Sequence, residues 1–377
     1  MAVNSSGTIS IGGSTSGQSI ALELGLSATG TLSMSQLYRG GTYVKPGISN
    51  GYNTNVPSSG AISLSNLYSM VRRPQLFLTY SSGSFSNVTV ASSGSNVTWS
   101  GNTTSGYIAG QTDVIVTVPS VTTLYSTSTG NAALTFSGFS SGDQIKIDNS
   151  GVIAGKGGDG GTPTGSAGGD AINYNPANAA FYPYNYSGAT IAGGGGGGGR
   201  GVPGSVQVAV PSGYSYAYYY YHVRAGGGGG GAGGAGSSNS SGSSYVGNVS
   251  LVSYLGYTSD GSAGSSTSGG AGGSGDSGYY YSVDNQFLIY GGSGGSGGAR
   301  GAAGGGGTYP YFNGPWGVQY FSTSNVSYPS LYTPIGYPQS GYSVGSGGAA
   351  GNAIRGTAKH GQALQNSGTL LGPQVSS

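Results

Sequence analysis

The sequence has 377 residues, of which only 5% are charged, and its formal net charge is +2. That charge is too small for the basic surface of a DNA- or RNA-binding protein, so no nucleic-acid partner is expected. The chain has no cysteine, which excludes disulfides and thiolate metal sites.

A short motif recurs in the first 73 residues. Residues 30–38 read GTLSMSQLY, residues 60–68 read GAISLSNLY, and residues 7–11 (GTISI) are a shorter copy. In each copy apolar residues alternate with Ser or Thr, which predicts a short half-buried strand that ends at Leu-Tyr in a strand end or one helical turn. The one conventional short helix is expected at residues 21–26. We interpret residues 1–73 as a small folded module.

Residues 74–150 are predicted to be a small β-domain. Short β-branched or aromatic runs are separated there by Gly/Ser turns, at the spacing of a β-sandwich. The last run, residues 143–149, leads through residues 151–155 into glycine-rich sequence, so we expect a domain boundary near residue 150. The predicted strands are at 75–80, 88–90, 96–99, 113–118, 133–136 and 143–149.

Six glycine-rich tracts follow, and tyrosine-rich segments separate them. Long glycine runs break the Gly-X-Y period of collagen, and no helix-forming segment follows any tract, as a nucleotide-binding loop requires. Flexible linkers are the alternative, but aromatic-rich segments this long do not resemble a tether. Because glycine has no Cβ, the tracts can instead pack directly against one another. The tracts lie at 155–170, 192–204, 225–236, 261–278, 291–307 and 345–356.

The predicted architecture is a mostly β N-terminal region followed by a bundle of polyglycine-II helices connected by Tyr-rich loops, with little α-helix. Residues 1–73 and 74–150 form the N-terminal region, residues 151–356 form the glycine-rich binding domain, and residues 357–377 form a C-terminal tail. Small residues within the tracts, such as Ala232, Ala235, Ala302 and Ala303, are expected at the bundle surface or where neighbouring segments leave room.

Tyrosine supplies large contact area, a polar hydroxyl and few rotatable bonds, which is why binding loops favour it. If each tract crosses the bundle once, connectors 173–190, 237–258 and 308–344 lie at the far end, away from the N-terminal region. The binding candidates are therefore Tyr182, Tyr184, Tyr186, Tyr245, Tyr254, Tyr257, Tyr309, Tyr311, Phe312, Trp316, Tyr320, Tyr328 and Tyr332. A lower-ranked set, expected at the near end, is Tyr218, Tyr219, Tyr220, Tyr221 and His222.

Residues 151–356 resemble the distal tail-fibre adhesins of T-even-type bacteriophages. The matching sequence includes the glycine runs 193–201, 226–234 and 291–307, and the N-terminal Ser-X-Ser-X-Leu-Tyr motif is similar to one common in phage virion proteins. The resemblance covers most of the chain but not residues 74–150. It implies a sandwich of polyglycine-II helices, a location in the virion tail or tail fibre, and a bacterial cell-surface receptor, either an outer-membrane protein or a polysaccharide. Other tail or fibre proteins would bind through residues 1–150.

Catalysis is not expected. His222 and His360 are the only histidines, and the acidic residues show no recognisable carboxylate pairing. No cofactor, metal or membrane insertion is expected, and no secretory signal is visible at residues 1–10. A structural tail or capsid decoration protein that does not itself bind a receptor is the main alternative. A depolymerase and a Gly/Tyr-rich extracellular matrix protein remain further alternatives.

Overall fold

The computed structural model is mostly β-structure with very little helix, as the sequence predicts. In the part of the chain that the structure describes, the helices are single turns, namely α1 (Ile20–Glu23), α2 (Met34–Leu37) and one 3-10 helix (Leu64–Leu67). No helix among the described residues is long and apolar enough to cross a membrane. The structure describes residues 2–29, 32–93, 96–99, 102–161, 163–174, 179–202, 204–212, 215–223, 225–232, 259, 261–274, 277–281, 286–290, 292–314, 317–320, 326–327, 335–338, 343–356 and 365–375.

Residues 2–73 form a module built around the repeated motif. The backbone N–H of Ser33 donates to the Gln36 side chain (2.9 Å), and that of Ser63 donates to Asn66 (2.9 Å). These local bonds favour a helical turn over the strand that the alternating pattern predicts, so the strand prediction is wrong at these two copies. The module has its own core, which consists of Val3, Ile9, Ile20, Leu24, Leu37, Val44, Val56, Leu67 and Met70.

The strands fall into three groups along the chain. Those before and between the first glycine tracts are β1 (Gln75–Thr79), β2 (Gly83–Ser86), β3 (Val88–Ser93), β4 (Asn96–Trp99), β5 (Asn102–Ser105), β6 (Asp113–Val118), β7 (Thr122–Tyr125), β8 (Leu134–Ser137), β9 (Gln144–Asn149), β10 (Val152–Ala154), β11 (Ile172–Tyr174), β12 (Ala180–Asn185) and β13 (Thr190–Ala192). The distal strands, which lie between the later tracts, are β14 (Gly204–Ser212), β15 (Ser215–Val223), β16 (Ser277–Tyr281), β17 (Gln286–Tyr290), β18 (Tyr311–Gly314), β19 (Gly317–Tyr320), β20 (Val326–Ser327) and β21 (Ile335–Pro338). The last are β22 (Ile354–Arg355), β23 (Gln365–Asn366), β24 (Thr369–Leu371) and β25 (Gln374–Val375).

The first and last groups form a three-sided parallel β-helix. Its sheets have the orders β1-β6-β9-β12-β23, β2-β7-β10-β13-β24 and β3-β8-β11-β22-β25, and the β4–β5 hairpin extends the third sheet. Successive strands pass from the first sheet to the second and then to the third, and each pairs in parallel with its counterpart one coil later. The predicted strand positions are close to those observed, but the expected sandwich is wrong because the Gly/Ser turns are corners of coils.

The β-helix extends on both sides of the expected boundary at residue 150. Its third and fourth coils contain β9 to β13 and β22, and its fifth coil contains β23 to β25. A ladder of asparagines crosses three coils, since the amide of the buried Asn149 donates to Asn185 (2.8 Å) and the amide of Asn185, also buried, donates to the exposed Asn366 (2.7 Å). Residues 365–375, expected to be part of a tail, therefore form the last coil.

A buried ion pair joins the module to the β-helix. Arg73 and Asp113 have fully buried side chains, and Nε of Arg73 lies 2.9 Å from Oδ1 of Asp113. The guanidinium also lies 3.9 Å from the centre of the Tyr52 ring. Ser49 and Gln144 add a second link, with 2.7 Å between the Gln144 amide nitrogen and the Ser49 hydroxyl. The module therefore packs against the corner of the β-helix at which the chain enters the first sheet.

We expect Arg73→Met to lower the free energy of unfolding by about 3–5 kcal/mol at neutral pH, because it leaves a buried carboxylate unpaired. Burial already raises the pKa of Asp113, against the opposing effect of Arg73, and loss of Arg73 raises it further. A carboxyl with a raised folded-state pKa is stabilising at low pH and destabilising as the pH rises through that pKa, so the deficit should shrink in acid. Urea unfolding at several pH values measures this.

The matched control for this prediction is Arg73→Met/Asp113→Leu, which removes both charges. It should recover most of the lost stability. If the double variant is as unstable as the single one, the loss comes from packing of the Arg73 side chain and the electrostatic explanation is wrong.

The glycine tracts leave the β-helix at one corner, between the second and third sheets. One insertion joins β10 to β11 and a longer one joins β13 to β22. Within them lies the central tract, residues 193–202, of which residues 194–202 are hydrogen-bonded to six neighbouring segments. These are residues 155–161, 163–169, 226–232, 292–298, 302–308 and 345–351.

The hydrogen bonds of the central tract repeat every three residues. The N–H groups of Gly196, Gly197 and Gly198 donate to residues of three different segments, Ala302 (2.9 Å), Ser166 (2.9 Å) and Gly229 (2.7 Å). The carbonyls of the same three glycines accept from three further segments, through Gly298 (2.8 Å), Gly348 (2.7 Å) and Gly161 (2.8 Å). A β-strand bonds to two sides with a period of two, so these tracts are not strands of a sheet.

Small side chains occupy the outward positions of the peripheral segments. In residues 292–299 the buried positions are Gly292, Gly295 and Gly298, whereas the exposed ones are Ser293, Ser296 and Ala299. Ala302 and Ala303 are exposed, as expected. Ala232 is 2% exposed and so is not at the surface, and Ala235 lies outside the described residues. Side chains are thus admitted mainly where no neighbouring backbone lies.

Candidate functional site

The direction of each tract decides which connectors share an end of the bundle. In the first tract Gly169 donates to Lys156 (2.7 Å) and Ser166 donates to Asp159 (2.9 Å), so its two halves are antiparallel. The tracts at 261–278 and 291–307 fold back in the same way. The assumption that each tract crosses the bundle once is therefore wrong.

The fold-back of the first tract reverses the expected polarity of several connectors. Connector 173–190 returns to the β-helix, where it supplies β11 and β12. The Tyr218–Tyr221 run is instead at the far end, because β14 begins where the central tract ends. The described strands of connector 308–344, β18 to β21, are at the far end, as expected, and residues 237–258 lie outside the described residues.

Three far-end connectors combine into two antiparallel sheets. One sheet has the order β15-β14-β21-β20 and the other β16-β17-β18-β19. The first joins sequence-distant segments, since Gly204 of β14 pairs with Pro338 of β21. The second continues from Tyr290 of β17 to Tyr311 of β18, whose rings stack with 4.6 Å between centroids and an angle of 16°. The distal strands therefore form two sheets, each of which combines strands from different connectors.

Aromatic residues are concentrated in the distal strands. Of the residues predicted as binding candidates, the structure places Tyr218–Tyr221 and His222 in β15, Tyr311 and Phe312 in β18, and Tyr320 in β19. Tyr309 precedes β18 and is partly exposed. The distal tyrosines that sequence reasoning left out of its candidates are Tyr216, Tyr279, Tyr280, Tyr281, Tyr290 and Tyr337. The tyrosine-rich composition of residues 279–290 is enough to mark this segment as a binding candidate. The assumption that each tract crosses the bundle once left it out, because it placed the segment at the near end.

Tyr182, Tyr184 and Tyr186 lie on the β-helix, apart from the distal strands. Tyr182 is 5% exposed and its hydroxyl accepts from the Gln144 amide (3.4 Å), so it presents little surface. Nζ of Lys146 lies 4.7 Å from the centre of the Tyr184 ring. Tyr186 is 41% exposed, and its hydroxyl donates to Asp148 (2.8 Å), which raises the pKa of Tyr186 to about 12. The remaining candidates, which lie outside the described residues, are Tyr245, Tyr254, Tyr257, Trp316, Tyr328 and Tyr332.

Titratable groups do not gather into a metal site in the part of the chain that the structure describes, where no group of three or more His, Asp or Glu side chains is placed to hold an ion. The arrangement at the far end is instead one of aromatic strands on a glycine scaffold. Such a surface is suited to non-covalent contact with a large partner.

Comparison with known proteins identifies the family. The chain is similar to a component of the crystal structure titled gp37-gp38 adhesin tip complex of the bacteriophage S16 long tail fiber, with 16% identity over 97% of this chain and 100% of that chain. The TM-score is 0.37. No curated protein matches the chain. The model of the family described as phage tail fibre adhesin Gp38 matches residues 85–375, which is more than half of the sequence, and the chain therefore belongs to that family and is a component of the virion tail fibre.

Proposed function

We propose that this chain is the receptor-binding tip of the tail fibre and that its distal strands, β14 to β21, contact a bacterial surface protein or polysaccharide. The observation that carries the proposal is the convergence of three tyrosine-rich connectors into two sheets at one end of the bundle. Tyrosine is enriched where large, rigid contact surfaces are needed. Both sheets lie at that end of the bundle, so one receptor can contact strands from each of them.

We further propose that the scaffold is a bundle of polyglycine-II helices. The three-residue repeat of hydrogen bonds and the six neighbours of the central tract support this assignment, because a threefold helix directs its N–H and C=O groups to three sides in turn. Such a lattice leaves few backbone groups unpaired. It therefore gives the distal strands a rigid base, which reduces the entropy lost when a receptor binds.

Attachment to the fibre is assigned to the opposite part of the molecule. The module at residues 2–73 is fixed to the first coils of the β-helix through Arg73 and Asp113, and it packs at a different corner from the one that carries the bundle. In this arrangement the module and β-helix hold other fibre proteins while the bundle extends away from them. The protein is proposed to act by binding alone, and release of reducing sugar from host polysaccharide would instead indicate a depolymerase.

Substitution of distal tyrosines tests the receptor surface. We expect Tyr218→Ser/Tyr220→Ser and Tyr279→Ser/Tyr281→Ser each to reduce the phage adsorption rate by roughly 100-fold, because loss of central aromatic contacts costs about 2–4 kcal/mol. The measurement is adsorption of virions that carry each variant, with incorporation of the protein checked by immunoblot.

The matched control is Tyr184→Ser/Tyr186→Ser, which removes two tyrosines from the β-helix. It should leave adsorption unchanged. If this control abolishes adsorption while both distal variants adsorb normally, the receptor surface is on the β-helix. If no tyrosine variant affects adsorption, the alternative of a structural tail component that does not bind a receptor is favoured.

A further inference from the structure

The nine-residue strand β15 forms one edge of a distal sheet. Its sheet has the order β15-β14-β21-β20, so β15 pairs with β14 on one side, and no described strand pairs with its other side. The other edge strands of the five described sheets have two to five residues. In the part of the chain that the structure describes, β15 is therefore by far the longest open sheet edge.

The strand carries none of the usual devices that protect a sheet edge. Natural proteins block such an edge with a charged residue, a proline or a β-bulge, or they keep the edge strand very short. Residues 215–223 contain no Asp, Glu, Lys, Arg or Pro, and their nine pairs with β14 follow one another without a bulge. An unblocked edge of this length is a template for a further strand.

Two prolines show which backbone groups of β15 face the open side. In an antiparallel pair of strands, residue pairs that exchange N–H···O bonds alternate with pairs that do not. Pro211 has no N–H to exchange, which assigns its pair with Tyr216 to the second kind. On the far side of β14, Pro338 pairs with Gly204, so Gly204 directs its backbone groups to Val223 of β15. Both prolines give the same alternation.

This alternation gives the direction of the amides along β15. The N–H and C=O groups that face the open side belong to Tyr216, Tyr218, Tyr220 and His222, and those that face β14 include Ala217, Tyr219 and Tyr221. The open groups repeat every two residues, about 7 Å apart, which is the repeat of an extended polypeptide. A polysaccharide has no backbone series of amide donors and carbonyl acceptors to match it.

We propose that an extended segment of a bacterial surface protein pairs with β15 as an additional strand of this sheet. The inference rests on the proposed receptor-binding role of the distal strands, and it specifies the chemistry of the contact. In this kind of recognition the main-chain hydrogen bonds supply affinity and the neighbouring side chains supply specificity. A segment of about eight residues is long enough to cover the edge.

Proline at an outward-facing position tests the pairing, since it removes one open N–H and leaves the bonds to β14 in place. Tyr218→Pro is compared with Tyr218→Thr, which loses the same aromatic ring but keeps the N–H. We expect the full-length Tyr218→Pro protein to bind intact host bacteria at least about 10-fold more weakly than Tyr218→Thr. The unaltered protein should bind outer-membrane vesicles of the host but not its purified surface polysaccharide.

Amide hydrogen exchange of the full-length protein gives a second measurement. In the free protein the amides of Tyr219 and Tyr221 should exchange slowly and those of Tyr218 and Tyr220 rapidly. Binding to outer-membrane vesicles should slow the rapid pair by about 100-fold. The control for the register is Tyr219→Pro, which removes a bond to β14 and should therefore abolish the slow exchange at Tyr221, whereas Tyr218→Pro should preserve it.

The proposal is overturned if Tyr218→Pro and Tyr218→Thr bind bacteria equally well, or if exchange at Tyr218 and Tyr220 is unchanged in the bound protein. It is also overturned if the protein binds purified polysaccharide, or if β15 pairs with a second copy of this chain, seen as a dimer that Tyr218→Pro dissociates. Equally weakened binding by the two variants removes only the added strand. Failure of the receptor-binding role itself would appear separately, as normal adsorption by the distal tyrosine double variants.

Discussion

Replacement of Gly196 by valine should prevent the glycine bundle from forming. A Cβ added at Gly196 would meet the carbonyl oxygen of Gly348 at under 3.0 Å, a separation that real Cβ atoms essentially never show. That carbonyl belongs to a neighbouring backbone segment and not to a flexible side chain, so the clash is relieved only by separating two hydrogen-bonded segments. We expect a loss of more than about 4 kcal/mol in the free energy of unfolding, measured as insoluble expression or as a large fall in melting temperature.

The same physical argument predicts a similar result at Gly229, where a Cβ would meet the carbonyl oxygen of Gly270 at under 3.0 Å. Neither glycine has a positive φ, so the expected loss is due to space and not to backbone conformation. Soluble Gly196→Val and Gly229→Val proteins with unchanged melting would mean that the tracts act as linkers, and the packed-bundle model would be wrong.

Two glycines in one segment provide a matched pair for a milder test. At Gly304 an added Cβ would meet the Gly197 carbonyl at under 3.0 Å, whereas at Gly306 the nearest atom is the Gly345 carbonyl at 3.4 Å. Gly304→Ala should therefore be strongly destabilising. Gly306→Ala should be neutral or stabilising by up to about 1 kcal/mol, because alanine reduces the entropy of the unfolded chain. Equal effects at the two positions would contradict the lattice.

The local elements could be read from the sequence because they depend on neighbouring residues. Alternation of apolar and polar residues at 113–118 and 143–149 predicts strands at nearly their observed bounds. Long glycine runs such as residues 193–199 indicate segments packed backbone against backbone, because glycine has no Cβ to hold neighbouring segments apart. The concentration of tyrosine between the tracts also identifies most of the segments that form the distal strands.

Pairing and direction could not be read in the same way. A parallel coil and an antiparallel sandwich both produce short strands separated by Gly/Ser turns, so the spacing of residues 75–136 fits either. β23, the first strand of the last coil, pairs with β12 although most of the bundle lies between these two strands in the sequence. The fold-back of the first tract at residues 156–169 is set by contacts with other tracts, which polyglycine sequence does not encode locally. That single reversal changes which tyrosines share an end.

Excision of the glycine bundle should leave a folded β-helix that still attaches to fibres but does not adsorb to bacteria. The core cluster of the β-helix takes its described residues from Leu76 to Ile191 and from Ala353 and Ile354, with none from residues 155–170 or 193–352. Removal of the insertions therefore costs no apolar burial within that core. We therefore expect this core to hold the coils of the β-helix together without the bundle.

The last coil shows how short the connection between the second and third sheets can be. Leu371 of β24 is joined to Gln374 of β25 through Gly372 and Pro373, and the N–H of Ala353 donates to the carbonyl of Pro373 (2.8 Å) in the adjacent coil. Because Ala192 pairs with Leu371, one glycine in place of residues 193–352 would copy the path of Gly372. Gly372 has a φ of +106°, which favours glycine at the new junction as well.

The variant therefore replaces residues 155–170 and 193–352 each with one glycine. We expect a soluble protein with a cooperative unfolding transition and unchanged affinity for tail fibres that lack this chain. Virions that carry it should adsorb no better than virions without the adhesin, because all the distal strands are missing.

The control is the full-length Gly306→Ala protein, which should behave normally in all three measurements. Adsorption by the excised protein would assign the receptor surface to the β-helix, whereas failure to fold would show that the coils depend on the bundle. Either result would contradict the division of the chain into a β-helix that folds by itself and a bundle that carries the receptor surface.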